Sequence, residues 1–527
     1  MPTLHWIGKE KVINHHMDVP FKVLEHSYGF NNGEQTANET KSGNKIIHGD
    51  NLEALKALLP EYEGRVNCIY IDPPYNTGNE NWVYNDNVND PKIKKWLGQV
   101  VGKESEDLSR HDKWLCMMYP RLKLLHKLLA DDGAIFISID DNEQANLKLI
   151  CDEIFGGANI VSNMIWQKRK GGGNDSFYVA VDHEYILCYV KDKSFQKEKW
   201  RVAYEGDYLK RYRESDNKGR FYWDTLSRPG LNNPIIYDVI CPDGSVIKDG
   251  TWQISKVTFD SELENGNVTF IKNKNGGYTV VRKVRMPEGK VFRSIINDTT
   301  NKDAADEMEI FLDNKKGFST PKPTKLIDHV LQLATDKNSI VLDSFAGSGT
   351  TAHSVLQLNA KDNGNRKFIL IQIDETDKKG QPVDIAETIT SERVKRVIKG
   401  YSATEGTGGS FDFYELGQPL FNEDGNLNES VGIDKIRSYI WYTETKRAFV
   451  EPEKSDSKYF LGKKDETAYY FNYEPNEVTT LNHDFLATIK SKSEQYVIYA
   501  DNCLLTKEFM SKHNIIFKKI PRDITRF

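Results

Sequence analysis

Cys68-Ile69-Tyr70-Ile71-Asp72-Pro73-Pro74-Tyr75 is the stretch on which the reading of this chain turns. Its first four residues are a short apolar run, and the two prolines stop it, which predicts a buried strand. Asp72-Pro73-Pro74-Tyr75 then stands at the strand's carboxyl end, where open α/β sheets bind their ligands. The tetrapeptide offers a carboxylate, a backbone carbonyl and an aromatic face. Two acceptors placed on the hydrogens of an aromatic amine would localise its lone pair, and Asp72 with the Pro73 carbonyl could supply them. Proline fixes φ and restricts the residue before it, so the acceptors are held rigidly. Tyr75 offers a face to a base taken out of its stack. Standing alone, the same four residues also read as a proline turn with an N-capping aspartate.

Outward from this strand the pattern alternates. KIIHGD (45–50) reads as a strand and turn, NLEALKALL (51–59) as a helix, and 76–110 as a long polar loop. Residues 114–129 have helical spacing ended by Asp131-Asp132-Gly133, AIFISI (134–139) is a strand, 142–155 a helix, and 161–166 and 185–190 further strands. Such alternation predicts a parallel sheet with helices on its faces. From 191 to 317 the runs become short, aromatic and β-branched, cut by Pro242-Asp243-Gly244 and Asn275-Gly276-Gly277. That change predicts an inserted, mainly β, domain. The α/β pattern resumes with a helix over 323–334, a strand over 339–342, a helix over 352–359, a strand over 367–373 and a helix over 391–399. Gly406 to Gly409 reads as a linker. The expected division is an N-terminal arm 1–44, a first α/β part 45–190, the insertion 191–317, a second α/β part 318–400 and a tail domain 401–527.

The second part carries Asp343-Ser344-Phe345-Ala346-Gly347-Ser348-Gly349-Thr350-Thr351 between a strand and a helix. Glycines there let backbone approach a ligand, and the helix start favours an anionic group. A nucleotide-triphosphate loop needs a lysine after its last glycine, whereas Thr350 follows Gly349. S-adenosylmethionine fits better: loop amides would hold its carboxylate and Asp343 would accept from its ammonium. The next strand ends in Asp374-Glu375, and either acid could take ribose hydroxyls, as acids do in dinucleotide sites.

The bulk numbers set outer bounds. A chain of 527 residues is too long for one ordinary core. No stretch has the roughly 20 apolar residues that span a membrane, and the start lacks a signal-peptide pattern. Six scattered cysteines without a CxxC pair argue against a zinc site or a disulfide framework, so no metal is expected and a cytoplasmic setting is. Net charge is −6, yet 166–223 carries 13 Lys and Arg against 9 Asp and Glu, a modest basic face compatible with DNA contact.

Taken together, the two motifs resemble those of amino-methylating DNA methyltransferases in the permuted β-class order, amine motif first. Several segments resemble the modification subunit of type III restriction-modification systems: Trp6-Ile7-Gly8-Lys9 with Asn14-His15-His16, IHGDNLEALKALLP (47–60), IYIDPPYNTGNE (69–80), GAIFISIDDNE (133–143), HEYILCYVK (183–191), TPKPTKLI (320–327), LDSFAGSGTTAHSVLQLN (342–359), RKFILIQIDE (366–375) and YIWYTETK (439–446). The resemblance implies an α/β S-adenosylmethionine-dependent methyltransferase fold, doubly wound and circularly permuted, with a mainly-β or α+β target-recognition domain inserted at 191–317. It implies methylation of adenine N6 in a specific duplex DNA sequence, with cytosine N4 or a catalytically silent DNA-binding module as alternatives. Asp72, Pro73, Pro74 and Tyr75 match the amine-binding and stacking residues. Asp343, Phe345, Ala346, Gly347, Ser348, Gly349 and Thr350 match the cofactor loop, Asp50 an acidic cofactor-side position, and Lys322-Pro323-Thr324 a cofactor-flanking segment. One departure is Asp374, where the resemblance implies proline, which keeps the choice between Asp374 and Glu375 open. Lys168, Arg169, Arg201, Lys210, Arg211, Arg213, Lys218 and Arg220 are candidate DNA contacts, for base edges or for phosphates; each also reads as solvated surface. A homodimer and a separate restriction helicase-nuclease partner are implied too.

Overall fold

The computed structural model describes residues 3–77, 107–171, 176–196, 200–202, 204, 206–227, 230, 233–287, 289–311, 320–376, 382–452 and 457–522. The chain folds into two compact units, one of residues 1–199 with 293–527 and the other Trp200–Phe292.

The larger unit is organised on an eleven-stranded sheet. In chain order its strands are β1 (Lys22–Asn31), β2 (Glu34–Thr36), β3 (Lys45–His48), β4 (Val66–Ile71), β5 (Leu129–Ile139), β6 (Ile160–Gln167), β7 (His183–Val190), β8 (Ile295–Ile296), β9 (Ile340–Asp343), β10 (Lys367–Gln372) and β11 (Ser410–Pro419). Their order across the sheet is β8-β6-β7-β5-β4-β9-β10-β3-β11-β1-β2. The six strands from β5 to β11 are mutually parallel. Ile69, Ile71, Ile135, Ile137, Leu342, Ile369 and Ile371 are fully buried, because helices cover both faces of such a sheet and both side-chain directions must be apolar.

The helices named below are α1 (Asn51–Tyr62), α2 (Asp107–Leu128), α3 (Gln144–Cys151), α4 (Asn301–Phe311), α5 (Thr324–Ala334), α6 (Thr350–Asp362) and α7 (Glu392–Lys399). From β4 the chain winds through α2 to β5 on one side. From β9 it winds through α6 to β10 on the other. The winding reverses between β4 and β9, which are hydrogen-bonded neighbours in a register that sets Val341 beside Cys68 and Leu342 beside Ile69.

Several details differ from the sequence reading. β7 runs antiparallel to both β5 and β6, so the sheet is mixed at that edge. Asp131-Asp132-Gly133 does not merely end a helix; it lies within β5, where the register with β4 shifts. α2 begins at Asp107, inside the expected loop, whose residues 78–106 lie outside the described residues. β1 falls in the expected arm and β11 beyond the expected linker, yet the two pair antiparallel in the main sheet, and β11 pairs parallel with β3. Within the stretch read as an insertion, Ile295–Ile296 pairs with β6.

The remainder of the larger unit includes a four-stranded sheet of 460–464, 467–471, 495–500 and 515–519. The 200–292 unit holds a four-stranded antiparallel sheet of 214–216, 219–225, 268–272 and 278–285, a hairpin of 235–240 and 246–252, and a helix Lys256–Glu264. Leu226, Val239, Trp252, Phe259, Val268 and Val280 form its own core. Arg285 clamps Asp216 with two nitrogens at 2.7 and 3.0 Å, and Lys283 adds a third contact at 3.0 Å.

Candidate active site

The pairing of β4 with β9 sends both sequence motifs out of the sheet side by side, at its carboxyl edge and at the point where the winding reverses. Open α/β sheets bind ligands in this crevice.

Asp72, just past β4, is the hub of a polar cluster. Lys322 Nζ lies 2.8 Å from its Oδ2. The Tyr75 hydroxyl lies 2.9 Å from its Oδ1 and 2.9 Å from Glu184 Oε2, and receives a hydrogen bond from Lys322 Nζ at 2.9 Å. The hydroxyl has one proton, so it serves one of the two carboxylates at a time. Lys168 Nζ donates to the other Glu184 oxygen at 3.1 Å. Burial pushes the Asp72 carboxyl up, with Lys322 the chief opposing influence. For Lys322 burial acts downward, but Asp72 and Glu184 outweigh it and hold the ammonium charged. Burial acts upward on Glu184, and Lys322 with Lys168 outweighs it, which leaves that carboxyl below its ordinary value. Trp114 on α2 donates to the Pro74 carbonyl at 2.7 Å and fixes the turn.

The glycine loop is braced from several sides. Asp343, 3% exposed, accepts from Phe345 N at 3.0 Å and from the Thr351 hydroxyl at 2.5 Å. Burial raises its carboxyl to about 7. Gln372 at the end of β10 takes the Gly347 N–H at 2.7 Å, and Asn51 donates to the Ser344 carbonyl at 2.9 Å. Gly349 has φ +78°, and a Cβ there would stand 3.1 Å from the Thr390 carbonyl oxygen, so both conformation and space require glycine. Arg393 on α7, 1% exposed, reaches the Ser348 and Thr350 hydroxyls at 3.0 and 2.8 Å and Glu307 on α4 at 3.2 Å. The Ser344 hydroxyl is fully buried with no partner among the described residues.

Other expected residues find different surroundings. Asp50 caps α1 by accepting from Leu52 N at 2.8 Å and Glu53 N at 3.2 Å, and it also takes Arg121 at 3.2 Å. Lys322 presents its carbonyl to the Thr350 hydroxyl at 3.1 Å, while its side chain joins the Asp72 cluster. Pro323 caps α5 with extended backbone, and Thr324 bonds Glu307 through its amide and hydroxyl. Asp374 lies 2.7 Å from His48 Nε2, whose Nδ1 meets Glu415 at 2.8 Å. Burial acts against the imidazolium, but Asp374 and Glu415 prevail and raise the His48 pKa. His48, Asp374 and Asp384 also bring three potential metal-ligand atoms together. The Glu375 side chain lies outside the described residues.

Among the candidate DNA contacts, Lys168 is held by Glu184, and Arg169 pairs with Asp182 at 2.8 Å. Arg201, Lys210, Arg211, Arg213, Lys218 and Arg220 belong to the 200–292 unit, and Arg201, Lys210, Arg213, Lys218 and Arg220 are exposed there. Sequence reasoning missed Glu184, Trp114, Gln372 and Arg393. Glu184 carried a signal, a carboxylate opening an otherwise apolar strand. Arg393 carried a fainter one, a charge beside the buried Val394 and Val397 of its helix.

Comparison with known proteins matches residues 66–382 to a family described as DNA methylase. The type III restriction-modification enzyme StyLTI Mod subunit of Salmonella typhimurium is 37% identical over 387 residues, 68% of this chain and 58% of that protein. The EcoPI Mod subunit of Escherichia phage P1 is 32% identical over 467 residues, 78% of this chain and 70% of that protein. The EcoP15I Mod subunit of Escherichia coli is 32% identical over 429 residues, 71% of this chain and 65% of that protein. The chain thus spans 58 to 70% of the length of these relatives.

Proposed function

Because the chain belongs to the DNA methylase family, matched over residues 66–382, we propose that it methylates adenine N6 in a specific duplex DNA sequence, as the modification subunit of a type III restriction-modification system. The methyl donor is S-adenosylmethionine, which supplies an electrophilic methyl group on a sulfonium. The observation that carries this reading is the emergence of Asp72-Pro73-Pro74-Tyr75 and the glycine loop from adjacent parallel strands at the switch point.

The residues present suit the donor. Asp343 is a buried carboxylate raised to about 7, which a ligand ammonium would stabilise in its charged form. The Ser344 hydroxyl, without a partner among the described residues, adds a buried polar atom in the same loop. Asp374 and Glu375 follow β10 and are the candidates for ribose hydroxyls, and Asp374 needs His48 to share it.

At the amine site, Asp72 holds an ammonium in this structure, that of Lys322. A carboxylate that accepts N–H bonds from one amine is built to accept them from another. Asp72 and the Pro73 carbonyl take the two N6 hydrogens and localise the lone pair toward the methyl group. Tyr75 stacks on the ring of the flipped adenine. The rate gain comes from alignment and electrostatics, with no covalent nucleophile. As the new bond forms, Asp72 is placed to take the proton the nitrogen sheds. The insertion reads the sequence, the protein acts as a dimer, and a restriction helicase-nuclease subunit is its partner.

Single-molecule sequencing of DNA from cells expressing the chain tests this reading. It should show N6-methyladenine at one strand-asymmetric site with the wild type and none with Asp72→Ala, while purified Asp72→Ala still binds S-adenosylmethionine. Methylation undiminished in that variant would overturn the assignment.

A further inference from the structure

Glu184 stands second in β7, opposite Trp166 of β6 in the antiparallel register, and is 6% exposed. A carboxylate buried this far loses its water and is tolerated only when paired and hydrogen-bonded. Lys168 supplies one partner, on Oε1 at 3.1 Å. The other oxygen lies 2.9 Å from the Tyr75 hydroxyl, the distance that separates the same hydroxyl from Asp72 Oδ1. Two carboxylates set on one hydroxyl repel each other, and the fold gains nothing in stability by bringing the second. Nothing said so far of Asp72, Pro73 or Tyr75 gives Glu184 a task.

The hydroxyl itself supplies one. Its oxygen accepts from Lys322 Nζ at 2.9 Å, and it has a single proton to give. Burial and the two carboxylates push the phenol far above its ordinary value, so the proton stays on its oxygen. What can change is the torsion about the C–O bond. With both acceptors at 2.9 Å, rotation alone carries the hydrogen bond from one carboxylate to the other, and no heavy atom has to move. The two states differ in what they leave at Asp72. A hydrogen bond from Tyr75 weakens Asp72 as a base, whereas the charge of Glu184 strengthens it. Besides Lys322 and Lys168, the titratable groups whose charges reach this cluster include Tyr70, Asp140 and Asp343.

We propose that Glu184 is a positioning residue of the methyl transfer: it takes over the Tyr75 hydroxyl as the amine arrives, and so frees Asp72 Oδ1 for an N6 hydrogen. This rests on the base-methylating reading above. In the empty site the hydroxyl and Lys322 occupy both Asp72 oxygens. When the base enters, the hydroxyl turns to Glu184, while the Tyr75 ring keeps its place against the base. In the transfer N6 bonds the methyl carbon, the sulfur keeps the electron pair of the bond that breaks, and the N6 proton passes to Asp72 Oδ1. Tyr75 keeps its own proton and Glu184 stays ionised. Lys168 holds Glu184 in place throughout by its other oxygen.

The test uses the full chain and a duplex carrying the site read from wild-type methylomes. Single-turnover methylation is followed against pH, with DNA and S-adenosylmethionine saturating. In Glu184→Gln the amide carbonyl accepts from Lys168, and the amide N–H turns to the Tyr75 oxygen and pins the hydroxyl on Asp72. This variant should methylate roughly 10–100-fold more slowly, the worth of a hydrogen bond to a charged group. Its acidic limb should move to lower pH, because the charge that raised Asp72 is gone and the bond that lowers it stays. Tyr75→Phe removes the proton that has to be moved and keeps the ring. In that background Glu184→Gln should cost no more than about threefold, a coupling that a merely structural residue would not show. Equal losses in the two backgrounds overturn the proposal, as does a Glu184→Gln variant as fast as wild type or with its limb moved to higher pH. Should the amide unfold the chain, Glu184→Asp takes its place: the shorter acid keeps the charge but not the reach, and equal losses in the two backgrounds again overturn the assignment. If the wild type methylates no DNA, it is the underlying reading that fails.

Discussion

Two buried carboxylates, Asp72 and Asp343, make the same demand on pH, since each works only when ionised. At the amine site the Asp72 carboxyl is pushed up by burial and held down chiefly by Lys322. Asp72 must be ionised to accept an amine, so Lys322→Met should move the acidic limb of the pH–rate profile to higher pH, measured as methylation rate between about pH 5 and 9. An unmoved limb would mean that Lys322 leaves before chemistry begins. Asp343 takes a proton as pH falls through about 7. If its carboxylate receives the donor's ammonium, cofactor affinity should be full above that pH and weaken below it, approaching about tenfold per unit. Calorimetry across the range checks this, and Asp343→Asn should flatten the dependence. The two motif residues were legible because each stands in a short chemical word at a strand end. Lys322 was legible only as a neighbour of the glycine loop. That its ammonium would cross to Asp72, 250 residues earlier in the chain, is a tertiary fact with no local trace.

Among the elements, α7 is the one that a local reading undervalues. Its Arg393 is buried, charged and shared between the glycine loop and Glu307 on α4. Removing one partner from such a group strands the other, at a cost of about 3–5 kcal/mol. Arg393→Met should therefore lower the urea midpoint and weaken cofactor binding together. Lowered stability with unchanged affinity would show that the loop holds its shape without α7. Strand periodicity located five of the six parallel strands to within a few residues, except that β5 starts earlier; β11 was not read as a strand and fell in the stretch taken for another domain. β11 looked separate because Gly406, Gly408 and Gly409 read as a linker. The pattern of a strand does not say which distant strand it will join, and β11 finds β3 across more than 360 residues of chain.

For the molecule entire, the chain divides into the sheet-bearing unit and Trp200–Phe292. The composition shift was read over 191–317, whereas the second compact unit runs from Trp200 to Phe292. Residues 293–311 are polar enough to look foreign, yet they return to the main unit through Ile295–Ile296 and through Glu307. Replacing Trp200–Phe292 with a short flexible linker should leave S-adenosylmethionine binding within a few-fold of wild type while abolishing methylation at the recognised site. Residual site-specific methylation would move recognition elsewhere in the chain. The adjacency of β4 and β9 has one more consequence, which concerns the chain as it leaves the ribosome. β4 emerges with its β9 edge bare, and the strand that will cover it follows about 270 residues later, roughly 15–55 s at ordinary elongation rates. For that interval a buried, apolar, parallel-type edge faces other nascent chains, the setting in which strands mispair. Translation speed and chaperone supply, rather than final stability, should therefore limit how much of this protein reaches its native state.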